Sequence, residues 1–170
     1  MLSHRQDIVT LVPNGIAIEL GVAEGVMSER MLQTGLSYLF SVDMYADRGH
    51  NINQYKRALE RLMPYKERNS ILKMKFNEAL SLFPDEYFDL IYVDGYAHGG
   101  QENGQTLRDW YPKCKPGGIF AGDDYDPIWP LVIKEVDAFV KERKLELNVI
   151  QCRETDVWSR SPTWWVRKPI

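Results

Sequence analysis

Four largely apolar stretches of the chain each run out into acid. Glu19 follows 16–18, Asp43 ends 38–43, Asp94 follows 88–93, and the pair Asp123 and Asp124 follows 119–122. The first is the most informative. Glu19-Leu20-Gly21-Val22-Ala23-Glu24-Gly25 sets an acid and a Gly-x-x-x-Gly between an apolar run and a helix-like one. A strand–turn–helix of this kind lets backbone approach a nucleoside-bearing cofactor. A dinucleotide turn would carry Gly-x-Gly-x-x-Gly, so that amides meet a pyrophosphate at the helix N-terminus. Here Ala23 stands at the second glycine position and Glu24 follows. A carboxylate there competes with a phosphate for the same positive potential. S-adenosylmethionine (SAM) has no phosphate and carries a sulfonium and an ammonium, so the turn suits SAM better than NAD. Gly21 and Gly25 would let the methionine portion and the ribose lie on backbone, with Glu19 orienting the turn or reaching the ammonium through water.

Asp43 stands where, in such folds, an acid accepts hydrogen bonds from ribose hydroxyls; its alternative is a turn cap. Met44 follows and either lays a polarizable thioether on adenine or fills core. Asn77 and Glu78, after a third apolar stretch, either read the adenine edge or cap a helix. Asp94, Asp123 and Asp124 form a second constellation. Three carboxylates on one edge repel one another unless protonated or bridged by a cation. An oxygen-only donor set with room for water suits a hard divalent ion, Mg2+ above all. Such an ion would hold a substrate's hydroxyls and lower the pKa of the one that attacks. The alternative is that these acids cap loops and turns. His98, between Ala97 and Gly99, serves as a general base near neutral pH or is a surface-loop histidine. His50, with Asp47 and Arg48, reads as part of a solvated loop or a lid. Trp129, Trp158, Trp164 and Trp165 read mainly as packing residues.

The elements that must position these residues alternate. Strands are expected at 16–20, 38–43, 70–76, 88–93, 119–122, 147–152 and 163–167. Helices are expected at 3–11, 24–33, 77–83, along the stretch that ends near Cys114, and at 129–144. A further helix after Asn51 sets Ile52, Tyr55, Leu59 and Leu62 at spacings of three and four. The stretch 115–118, Lys-Pro-Gly-Gly, reads as a turn. The run 88–93 is nearly all apolar, as a strand covered on both faces should be. Alternation of this kind predicts a doubly wound, mostly parallel sheet in an α/β Rossmann-like domain. Its ligands bind at the carboxyl ends of the strands, the edge to which the acids are delivered. The last two strands are expected to pair like a hairpin around 153–162.

With 170 residues, the whole chain, 1–170, is expected to form a single domain. A net charge of −3 gives no sign of a polyanion binder, so no nucleic acid partner is expected. No apolar run approaches the length of a membrane span. Residues 1–15 lack the apolar centre of a signal peptide, and Cys114 and Cys152 lack metal-ligand spacing. These features give the expectation of a cytoplasmic protein with reduced thiols.

The chain resembles the class I SAM-dependent methyltransferases, and within them the small O-methyltransferase-like group that includes relatives of macrocin and catechol O-methyltransferases. The resemblance runs over 16–144. It rests on the turn Glu19 to Gly25, on Ser41-Val42-Asp43-Met44, on Phe88-Asp89-Leu90-Ile91-Tyr92-Val93-Asp94-Gly95, and on the stretch from Trp110 to Gly118 followed by Asp123-Asp124-Tyr125. It implies a seven-stranded sheet with an antiparallel last strand. It also implies Mg2+ bound by the acids matching Asp94, Asp123 and Asp124 in the metal-dependent members. Three departures are visible. The histidine after the fourth strand is displaced to His98; Ala97 stands where catechol-type enzymes carry a lysine base; and the cofactor-binding serine after the second motif glycine is displaced by one, to Ser28.

These readings converge on a SAM-dependent methyltransferase acting on a hydroxyl of a small-molecule acceptor, with Asp94 and His98 as catalytic residues and Mg2+ assisting. Cofactor contacts are expected from Glu19, Gly21, Gly25, Ser28, Asp43, Met44, Asn77, Glu78 and Asp94. A non-catalytic SAM-binding module on the same fold is the alternative. Because strand one starts at residue 16, the site is expected to be open, or covered by the loop 44–51 or by a second copy of the chain in a homo-oligomer.

Overall fold

A computed structural model describes residues 2–46, 50–95, 99–151 and 161–170. Its seven strands are β1 (Ile16–Leu20), β2 (Tyr38–Asp43), β3 (Asn69–Lys73), β4 (Phe88–Val93), β5 (Cys114–Gly122), β6 (Asn148–Ile150) and β7 (Thr163–Arg167). They form one sheet in the order β3-β2-β1-β4-β5-β7-β6. The pairs from β3 to β5 are parallel, and β7 runs antiparallel to both β5 and β6. This is the α/β Rossmann-like sheet with one antiparallel strand. The order reverses at β1, so β1 and β4 flank the crevice in which ligands of open α/β sheets sit.

Strand alternation divides the interior into two cores. Ile18, Leu20, Ile91, Val93 and Phe120 face one side, against Leu107 and Trp110 of helix α5 (Gln105–Trp110) and Val132, Val136 and Phe139 of helix α6 (Pro130–Arg143). Ala17, Leu90, Tyr92, Ile119 and Ala121 face the other, against Met27 and Met31 of helix α1 (Val26–Thr34). Ile8 and Val9 of an N-terminal 3-10 helix, Arg5–Leu11, join them there. Phe88 lies on the same side as Ile91 because the β4–β5 register shifts between Phe88 and Leu90. The alternation has a chemical consequence. Glu19, Asp94 and Asp123 continue the parity of Ala17, Tyr92 and Ala121, so they look toward the 3-10 helix.

Several elements differ from the sequence reading. Helix α2 (Ile52–Leu62) buries Ala58 and Leu62, whereas Ile52 and Leu59 are exposed. The helix packs Ala58 and Tyr55 against Val22 of the glycine turn and Tyr45 rather than lying flat on the sheet, which rotates its buried face. β3 ends at Lys73 because the Glu78 carboxylate accepts from the Lys75 N–H at 3.0 Å and starts helix α3 (Phe76–Ala79). Residues 115–118 lie within β5 rather than in a free turn. Gly117 takes φ +76° there, and its N–H donates to Lys168 O. After Gly99 the chain makes one irregular turn, α4 (Gly100–Asn103), before α5. No helix among the described residues is long and apolar enough to cross a membrane.

Candidate functional site

The glycine turn is fixed by its neighbours on both sides. Gly21 N–H donates to Val42 O at 2.9 Å and Gly25 N–H to Val22 O at 2.8 Å. Gly21 adopts φ +98°, and a Cβ there would lie 2.1 Å from the carbonyl oxygen of Asp94. Only glycine satisfies both constraints. Ala23 is held in the left-handed region at φ +47°, a strained choice for a residue with a side chain. Tyr45 O–H donates to its carbonyl at 3.0 Å and helps hold it.

Asp43, nearly fully buried at the end of β2, ties this turn together. Its Oδ2 accepts from the N–H of Val22 at 2.9 Å and of Ala23 at 3.1 Å, and lies 2.6 Å from His50 Nδ1; its Oδ1 accepts from Tyr45 N–H. Burial alone would raise its pKa, but the hydrogen bond with His50 and the three amides outweigh burial and hold it below the ordinary carboxylate value. Glu19 is the opposite case. It is completely buried, receives a hydrogen bond from Ser28 Oγ, and leaves Oε1 without a partner. Ser28 in turn is 3.1 Å from Ser41 Oγ, which accepts from Asn69 Nδ2. Desolvation pushes the Glu19 carboxyl well above the ordinary range despite the hydrogen bond from Ser28.

At the ends of β4 and β5 the strand pairing continues. Asp94 N–H donates to Leu20 O and Asp123 N–H to Val93 O, which brings the two carboxyls together. Between them lies Arg5, itself 8% exposed. Its Nη1 is 2.5 Å from Asp123 Oδ2 and 3.5 Å from Asp94 Oδ2. Asp123 Oδ1 accepts from Thr163 Oγ1 at 3.2 Å, and that hydroxyl pairs with Tyr92 O–H at 3.1 Å. Burial would pull the Arg5 guanidinium down, yet Tyr92, Asp94, Asp123 and Glu19 together hold its proton more tightly than usual. Asp94 and Asp123 are both raised by burial, and Arg5 opposes that rise in each.

The two regions share a cavity of about 320 Å³, within the range of small-ligand sites. Arg5, Glu19, Gly21, Val22, Ala23, Glu24, His50 and Asp94 line it. Of the residues expected to hold a cofactor, this cavity gathers Glu19, Gly21 and Asp94, with Asp43 behind His50. Gly25 closes the turn against Leu62, and Ser28 lies beneath it, fully buried. Met44 is half-buried beside Asp43. Asn77 and Glu78 are exposed on α3, where Glu78 caps the helix. His98 lies outside the described residues.

The expected Mg2+ site meets a different arrangement. The place between Asp94 and Asp123 is taken by the Arg5 guanidinium, both Asp123 oxygens are engaged by Arg5 and Thr163, and Asp124 sits in the left-handed region at φ +61°. Among the described residues no group of three or more His, Cys, Asp or Glu has the proximity to hold a metal ion. A donor set whose shared space an arginine already fills does not fit a divalent cation.

The sequence reading missed Arg5 and gave His50 only a place in a solvated loop or lid, not beside Asp43. The signal for Arg5 was present: with Ile8 and Val9 it sits at positions i, i+3 and i+4 of one helical stripe. It therefore shares the buried face, where a cation needs acidic partners. His50 carries no comparable signal, because nothing local ties it to Asp43.

A family model described as a methyltransferase domain matches residues 18–125. Among curated proteins none matches the chain. Solved structures with the same fold include a Klebsiella pneumoniae protein described as an O-methyltransferase, 20% identical, covering 97% of this chain and 79% of that one at TM-score 0.75. An O-methyltransferase from Bacillus cereus in complex with SAH is 14% identical, covering 96% of this chain and 79% of that one at TM-score 0.72. An rRNA methylase from Streptococcus thermophilus is 11% identical, covering 100% of this chain and 99% of that one at TM-score 0.68. At these identities the three share the fold.

Proposed function

The chain belongs to the methyltransferase-domain family, and on that premise we propose that this SAM-dependent enzyme methylates a hydroxyl oxygen of a small molecule. When bound, SAM supplies an electrophilic methyl group: the acceptor oxygen bonds to that carbon as the carbon–sulfur bond breaks, and S-adenosylhomocysteine (SAH) leaves. The protein's part is alignment and proton management.

The chain's residues divide these tasks. Gly21 and Gly25 give the methionine portion access to backbone, and Glu19 offers the unpartnered Oε1 to the ammonium. Asp43, held ionised, accepts from the ribose hydroxyls, and His50 moves aside or shares the carboxylate. Met44, Asn77 and Glu78 are assigned to the adenine end, with Ser28 holding Glu19 in place. Asp94, in the cavity wall and raised by burial, orients the acceptor hydroxyl. Asp94 or His98 takes its proton as the oxygen attacks. Support for an acceptor other than a polyphosphate chain comes from the acids Glu19, Glu24 and Asp94 in the cavity wall.

The observation that carries this reading is the single cavity where the glycine turn, Glu19, the His50–Asp43 pair and Asp94 meet. Incubation with SAM and a panel of catechols, sugars and other hydroxylated metabolites tests it by mass spectrometry. Acceptor-dependent SAH release with a methylated product is expected. Methylation confined to RNA, or no SAH release with any acceptor, would overturn the acceptor class.

A further inference from the structure

We infer that Arg5 is a resident counter-cation that occupies the place of a divalent metal at the acceptor end of the cavity, so that this enzyme works without one. The argument starts from charge. Asp94, partly buried, and Asp123, almost fully buried, meet at the ends of β4 and β5, and two carboxylates this close need protons or a cation between them. The 3-10 helix supplies that cation: Arg5 Nη1 bridges both acids, at 3.5 Å and 2.5 Å. A metal ion in the same space would need Asp123 to release both Arg5 and Thr163. It would also leave a buried guanidinium facing a dication.

The delivery is structural. Ile8 and Val9, on the same stripe as Arg5, are buried beneath α1 and fix the helix to the sheet. Arg5 lines the cavity, and its Nε–H, buried, has no hydrogen-bond partner within the protein. Nη1 of the guanidinium is thus spent on the acids, and the buried Nε–H is left without an acceptor in the protein. An arginine differs from a metal here in one respect that matters for specificity. It offers hydrogen-bond donors but no open coordination positions, so it holds oxygens without activating them as a metal ion would. The site is therefore built for an acceptor held by hydrogen bonds rather than by coordination.

This inference rests on the cavity being the methyl-transfer site, and SAH titration in the same assay keeps the two separable. Thermal melting is recorded for the wild-type chain with excess EDTA, with about 10 mM Mg2+ or Mn2+, and with SAH; a cation that bound the native site would raise the midpoint by several degrees. Indifference to EDTA and to both cations is expected, together with stabilisation by SAH. A rise of more than about 3 °C with either cation, reversed by EDTA, would overturn the inference. Arg5→Lys and Arg5→Met separate charge from packing: Lys is expected to retain more than half of the wild-type midpoint that Met loses. Equal loss in both variants would contradict the counter-cation role. If Arg5→Met does not fold, the Lys variant and the wild-type metal titration still decide the matter. Failure to bind SAH would count against the methyltransferase site and leave the metal comparison standing by itself.

Discussion

The two ends of the cavity are built by different means. At the glycine turn the chemistry is made by backbone: Gly21 passes close to the carbonyl of Asp94, and Asp43 collects the amides of Val22, Ala23 and Tyr45. All of that lies within one strand–turn–helix and the ends of the two strands that flank it. At the acid end the chemistry is made by side chains from far apart, with Arg5 and Asp123 separated by 118 positions. Carboxyls are treated oppositely as well. Asp43 is pulled down by the donors around it, whereas Glu19, Asp94 and Asp123 are pushed up by burial. An ionised acid suits ribose hydroxyls, and a reluctant one suits a site where protons are exchanged.

That contrast can be broken most forcefully at Arg5. Arg5→Met leaves Asp94 and Asp123 without their counter-charge and is expected to cost about 3–5 kcal/mol of stability in urea unfolding. A cost below about 1 kcal/mol would mean that the acids are neutralised in some other way. At the other end, Gly21→Ala sets a Cβ against the Asp94 carbonyl at φ +98°. It is expected to cost about 3 kcal/mol and to abolish SAH binding, because the turn must open to accommodate it.

The turn was legible in the sequence because its demands are local. The spacing of Gly21 and Gly25, the acid at Asp43 and the apolar run of β4 each announce their role within a few residues. The parallel sheet and its antiparallel last strand follow from the alternation of elements and from the family resemblance. What was not legible depends on distant partners. The face that α2 buries is decided by Val22 and Tyr45 rather than by the sheet, so periodicity alone misassigned Ile52 and Leu59. β3 stops short of Phe76 because Glu78 caps a helix there. The acidic cluster was correctly brought to one edge, but its counter-charge was sought outside the protein, while it lay on the N-terminal helix. No local pattern reveals that Arg5 and Asp123 meet; only the strand parity seen in the fold does.

Smaller changes sharpen the comparison. Asp43→Asn removes the charge from four hydrogen bonds and is expected to raise the SAH Kd about tenfold or more. Its stability cost has a pH signature. A carboxylate held below its ordinary value of 3.8 contributes stability that is present above that pH and is lost as pH falls through the folded value. The gap between wild type and Asp43→Asn should therefore narrow in acid. Glu19→Gln should behave in the reverse sense and cost least, within about 1 kcal/mol, because Gln mimics the neutral carboxyl. A carboxyl held above its ordinary value of 4.5 stabilises fully below that pH and loses its contribution as pH rises. Wild type should thus lose stability from pH about 5 upward more steeply than Glu19→Gln. Parallel urea-unfolding profiles for the two proteins would show that Glu19 is ionised.

Calorimetric titration of the wild-type chain and of Asp43→Ala with SAH, beside a titration with NADH, tests the central claim most directly. One SAH per chain, binding weakened at least about tenfold by the substitution, and no response to NADH are the results expected of a SAM cavity at the glycine turn. NADH binding without SAH binding, or SAH affinity untouched by Asp43→Ala, would contradict it.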